Sequence, residues 1–116
     1  MTDIIHIDQN ARRSRAVVHN GLVYTAGQVP DDMSADVTVQ TQQVLAKIDD
    51  LLKQAGTDKS RALTAQVWLR TIDDLAAMNA VWDAWVVQGK TPTRVCGKVE
   101  MNNPNCRVEI LVVAAI

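Results

Sequence analysis

The stretch Arg107 to Ala115 reads as a β-strand that is apolar on both faces. Val108, Ile110, Val112 and Ala114 fall on one side, and Leu111, Val113 and Ala115 on the other. A strand at the edge of a core alternates apolar and polar residues; one that is apolar throughout needs both faces dry. A chain of 116 residues has the size of one domain, 1–116, with one core. Its periodicity supplies two helices, enough to cover one face of a sheet of about six strands. The second face must then meet something outside the chain, so the pattern predicts a homo-oligomer that packs sheet faces together.

The other elements follow from their spacing. Ile4 to Ile7, Ala16 to His19 and Leu22 to Thr25 read as strands. Asn20-Gly21 between the last two is a hairpin signal, since a type I′ turn needs positive φ at both central positions. Ala35 to Ala55 reads as a helix with a stripe of Val44, Leu45, Ile48, Leu51 and Leu52. Gly56 suits its C-terminal cap, and Lys53 suits the negative end of its dipole. Ala62 to Leu69 alternates as a strand, with Leu63, Ala65, Val67 and Leu69 on one face. A second helix is predicted over Ile72 to Val87, capped by Thr71 and favoured by Asp74. Asn79 interrupts its apolar stripe. Thr93 to Met101 forms a further strand, and Asn102 to Asn105 a turn before the last one. The order is strands, helix, strand, helix, strands.

Several function classes are disfavoured. Twelve Lys and Arg against 13 Asp and Glu give a net charge of −1, whereas nucleic-acid binders usually carry a basic excess. No apolar run approaches the roughly 20 residues that span a bilayer. The start, Met1 to Ile4, lacks a basic leader, so the cytoplasm is the expected compartment. Cys96 and Cys106 form no CxxC pair and read as free thiols. His6 and His19 complete no metal set, and no phosphate-loop, dinucleotide, zinc-protease or serine-hydrolase motif occurs.

Two charged residues stand out in apolar strands, Arg94 and Glu109. They read either as a structural ion pair, as separate water-facing groups, or as an anion clamp beside a carboxylate base. A guanidinium grips a carboxylate through two parallel hydrogen bonds, each charged bond worth about 1.5–3 kcal/mol net when shielded from water. Cys96 as a nucleophile would need an activating base, and no motif places a histidine beside it.

Gly21 to Pro30, Gln40-Thr41, Ala55-Gly56, Met78-Asn79 with Trp82 and Trp85, Pro92 to Cys96, and Val108 to Ile110 recur in order over nearly the whole chain. In this the chain resembles the RidA/YjgF family of reactive-intermediate deaminases, and its YoaB-like branch through Ala80 to Val87 and the ending Val112 to Ala115. The resemblance implies a chorismate-mutase-like α+β fold assembled as a trimer, with sheets lining a central barrel, helices outside and sites at subunit interfaces. It implies that Arg94 binds a substrate carboxylate, that the Cys96 backbone helps hold the substrate, that Gly27 lines the cleft and that Glu109 positions a water. The implied reaction is hydrolysis of a 2-imino or enamine acid, of the 2-aminoacrylate and 2-iminopropanoate type, to a 2-oxo acid and ammonia. No cofactor or metal is implied. A binding trimer for small carboxylates without turnover is the alternative, and the family's older association with translation inhibition or endoribonuclease activity is a third.

The chain departs from the family pattern in places. Arg13 stands where many members carry a tyrosine that closes over the substrate, within the cluster Ala11 to Arg15. Lys47 replaces an asparagine and Lys98 a glutamate. Arg13 thus joins the substrate-binding candidates and favours a more anionic ligand. Light scattering at micromolar concentration is expected to give a mass above that of one chain; a monomer mass would contradict the uncovered-face reading.

Overall fold

The structure, a computed structural model, describes residues 3–116. Met1 and Thr2, part of the start read above as lacking a leader, lie outside the described residues. Six strands form one mixed sheet: β1 Ile5–Gln9, β2 Ser14–His19, β3 Leu22–Thr25, β4 Ala62–Leu69, β5 Thr93–Lys98 and β6 Val108–Ala115. Their order is β1-β2-β3-β6-β4-β5, antiparallel except for the parallel pair β4–β5. A parallel pair needs a long crossover, and the segment carrying the second helix supplies it. The helices are α1 Val37–Gln54 and α2 Leu75–Trp85. The molecule is a slab 46 × 38 × 19 Å, the thickness of a sheet with one helical layer. No described helix is long and apolar enough to cross a membrane.

Local chemistry explains the elements. Asn20 and Gly21 take φ of 52° and 76°, the left-handed pair that a type I′ turn requires. Helix α1 begins after Asp36, whose carboxylate accepts from the Val39 N–H at 2.9 Å. It ends at Gly56, φ +86°, where Gly56 N–H donates to Lys53 and Thr57 N–H to Leu52, closing a Schellman motif. Val44, Leu45, Ile48, Leu51 and Leu52 are at most 2% exposed and face the sheet. Burying each such side chain contributes about 1.5–3 kcal/mol before the ordering entropy is subtracted.

Three expectations are corrected. Leu63 is 45% exposed, because β4 slips register against β6 between Ala62 and Thr64, and Ala62 takes the core place. The segment 72–87 divides: Ile72–Asp74 is a 3-10 turn whose first N–H groups Thr71 serves, α2 runs only to Trp85, and Ile72 is exposed. Asp74, expected to favour the helix start, also pairs with Arg107 at 3.2 Å. Strand β5 stops at Lys98 rather than Met101, because its partner β4 ends at Leu69, whose carbonyl takes a last bond from Val99 N–H at 2.9 Å.

Strand β6 sits inside the sheet, between β3 and β4. Val108, Ile110, Val112 and Ala114 are at most 1% exposed beneath the helices. Leu111, Val113 and Ala115 are only partly covered, on a face they share with Leu22, Tyr24, Thr64, Gln66 and Trp68 through the strand register. One chain leaves that face without a covering layer.

Gln40 ties α1 to the turn before β6. It is fully buried, its amide nitrogen donates to the Ala35 and Asn105 carbonyls at 3.1 and 3.0 Å, and its oxygen accepts from Arg107 N–H at 2.8 Å. Replacing Gln40 by Leu strands these backbone groups. A loss of about 2–4 kcal/mol is expected, read as a lower urea midpoint at unchanged slope.

Candidate functional site

Glu109 lies on the open face of β6, with Trp68 of β4 opposite it in register. The loop after β3 is drawn up to it by backbone pairing: Gln28 N–H donates to Ile110 at 2.8 Å, and Ile110 N–H returns a bond to Gln28 at 3.2 Å. Gly27 is thereby pressed against the Glu109 side chain, and a Cβ at this position would fall within the carboxylate. The loop glycine is explained by this close approach, not by a positive φ. Among the described residues the Glu109 carboxylate has no ion-pair partner.

Arg94 lies in β5 opposite Ala65 of β4, a buried residue of the helix-covered face. Its guanidinium donates to the Asn79 side-chain oxygen of α2 at 2.9 Å and sits 5.3 Å from the centroid of the Trp82 ring. Trp85 supports Trp82 at a centroid distance of 5.3 Å, and its indole N–H is held by Asp49. Asn79, the polar interruption in the helix stripe, is therefore the group that orients Arg94. A cation over an indole is stabilised by about 0.5–1 kcal/mol at an exposed site, yet the side chain remains exposed with donors to spare.

Arg94 and Glu109 do not meet within one chain. They stand on opposite faces of the sheet, with β4 between their strands, so neither the structural ion pair nor a clamp beside its base forms in the single chain. Cys96 shares the Arg94 face, opposite Val67, and is partly buried against the core. Cys96 and Cys106 are both free. Burial pushes the Cys106 thiol up, and it donates to the Val108 carbonyl. His6 contacts Ser14 and His19 contacts Asn20; the described residues contain no group of three or more potential metal ligands among His, Cys, Asp and Glu.

A cleft of about 710 Å³ opens beside Gly27, between the 26–31 loop, α1 and the β1–β2 connection. Arg13, Arg15 and Lys47 line it. Lys47 donates to the Val29 carbonyl at 2.8 Å and pairs with Asp31 at 2.7 Å, fastening α1 to the loop. Arg15 donates to Gln28 at 2.8 Å and lies 3.7 Å from Asp8. Gln28 is a structural participant that the sequence did not announce; a polar residue beside a loop glycine carries no periodic signal. The Gly27→Ala variant is expected to fold with a melting temperature close to wild type, because the Glu109 side chain can swing aside. A crystal structure should show that carboxylate displaced from its position over the loop; an unmoved carboxylate would refute the steric account.

Comparison with known proteins agrees with this architecture. The family model described as endoribonuclease L-PSP matches residues 5–116. A RutC family protein of Haemophilus ducreyi is 46% identical over 113 residues, covering 97% of each chain. The RutC family protein YoaB of Escherichia coli K12 is 44% identical, covering 97% of this chain and 98% of its own. A crystal structure of a YjgF-family protein from Neisseria meningitidis superposes with a TM-score of 0.95 at 42% identity, covering 97% of this chain and 94% of that one. With a full-length sequence match and a shared six-stranded fold, the chain belongs to the RidA/YjgF family, the RutC proteins.

Proposed function

We propose that the protein hydrolyses small 2-imino acids, and their enamine tautomers, to 2-oxo acids and ammonium. The observation that carries this reading is Arg94, an arginine oriented by Asn79 and Trp82 yet left with no carboxylate partner among the described residues. Such a group suits a carboxylate that arrives from solution. Because the sheet separates Arg94 from Glu109, a site using both takes them from two protomers, and a trimer that buries the open sheet faces satisfies this demand. In it Arg94 and the Cys96 backbone come from one protomer, and Gly27, Arg13 and Glu109 from its neighbour.

The chemistry needs little beyond placement. An iminium carbon is already electrophilic, so holding the carboxylate and aiming one water lower the barrier. Glu109 accepts a proton from the water as its oxygen bonds to C2 and the C=N π pair moves onto nitrogen. The carbinolamine nitrogen then takes that proton back. The hydroxyl collapses to the carbonyl, the C–N bond breaks, and the hydroxyl proton leaves on ammonia as ammonium. An enamine enters by first accepting a proton at its β-carbon. The endoribonuclease wording of the family model sits poorly with a net charge of −1, one Tyr and no Phe, which leave little to hold RNA.

Arg94→Ala is expected to lower kcat/KM on enzymatically generated 2-iminopropanoate by about 100-fold, the loss of about 3 kcal/mol of charged hydrogen bonding. Mixing Arg94→Ala with Glu109→Gln through unfolding and reassembly should restore activity at about a quarter of the sites, those that join two intact halves. Turnover that survives Arg94→Ala overturns the assignment. No turnover in wild type, with a melting shift on adding pyruvate, would leave a carboxylate-binding trimer instead.

A further inference from the structure

We propose that the cleft beside Gly27 receives a second anionic group of the substrate, so that dicarboxylic imino acids are preferred over three-carbon monocarboxylic ones. The inference rests on the hydrolase reading above and names its substrate class. Gly27 is the shared element: it lines the cleft, and its backbone lies directly against the Glu109 carboxylate.

The charges on its walls are not equivalent. Lys47 is neutralised by Asp31 at 2.7 Å, and Arg15 faces Asp8 at 3.7 Å while donating to Gln28. Asp50, also on the wall, accepts from Gln54 at 2.7 Å. Arg13 differs from the other two cations. Its guanidinium donates to the Asp8 carbonyl at 3.2 Å and has no carboxylate partner among the described residues. Its backbone is fixed by the Asn10 side chain, which accepts from the N–H groups of Arg12 and Arg13 at 2.8 Å. The turn thus presents one uncompensated guanidinium to the cleft from an anchored backbone. Arg94 takes the carboxylate next to the imine carbon, and Arg13 takes the distal one. A second charge-assisted hydrogen bond is worth about tenfold in kcat/KM, and salt screens it.

The test compares 2-iminopropanoate and 2-iminoglutarate, made in situ by an amino-acid oxidase from alanine and glutamate, with turnover read above spontaneous hydrolysis. In parallel, calorimetry measures binding of the stable products pyruvate and 2-oxoglutarate. Wild type is expected to favour the five-carbon compound about tenfold in both readouts. The preference should shrink towards unity in Arg13→Ala, persist in part in Arg13→Lys, and be unchanged in Arg12→Ala. Turnover of both substrates at equal efficiency overturns this inference and spares the hydrolase reading. A tenfold binding preference that Arg13→Ala abolishes, without turnover, supports the inference and overturns the hydrolase reading. Absence of both overturns both. A preference that survives Arg13→Ala removes Arg13 from the role and overturns the proposal.

Discussion

Strand β6 has to be dry on two sides, and the layout of the molecule follows from that demand. Its core-facing residues lie under α1 and α2, which gives the chain a one-sided core. Its other face offers Leu111, Val113 and Ala115 beside Leu22 and Tyr24, the surface that the proposed trimer buries. The same strand carries Glu109 on the open face and, through Ile110, holds the loop that bears Gly27. The proposed assembly and the proposed chemistry therefore share one element. Whatever shifts β6 moves the apolar face and the carboxylate together.

The two charged groups that drew attention in the sequence are organised in unlike ways. Glu109 is placed by backbone geometry: a strand, a bridge and a glycine with no room for a side-chain carbon. Arg94 is placed by side chains of a helix, with Asn79 fixing its direction and Trp82 supporting its face. In the proposed hydrolysis the carboxylate beside the loop glycine aims water, and the long arginine, held near its tip, accommodates the entering acid.

Much of this was legible in the chain. The stripe on α1, the Asn20-Gly21 turn and the two-sided β6 state their structures directly, because periodicity and positive φ are local properties. The slip that turns Leu63 outward was not legible, since alternation alone does not reveal where a neighbouring strand skips a register. The role of Asn79 was visible only as an anomaly. Its partner lies 15 residues away in another element. Arg94 and Glu109 were noticed as a pair, but strand parity across β4 and β6 was needed to place them on opposite sides. Family resemblance supplied the expectation that an interface reunites them.

Strand β5 closes one margin of the sheet, and its outer row of amide and carbonyl groups has no neighbouring strand among the described residues. Bare margins of this kind invite uncontrolled strand addition. Arg94 and Lys98 put two positive charges along this one, four positions apart, so two copies approaching margin to margin repel each other. In a single chain the arginine would thus act as a guard against aggregation.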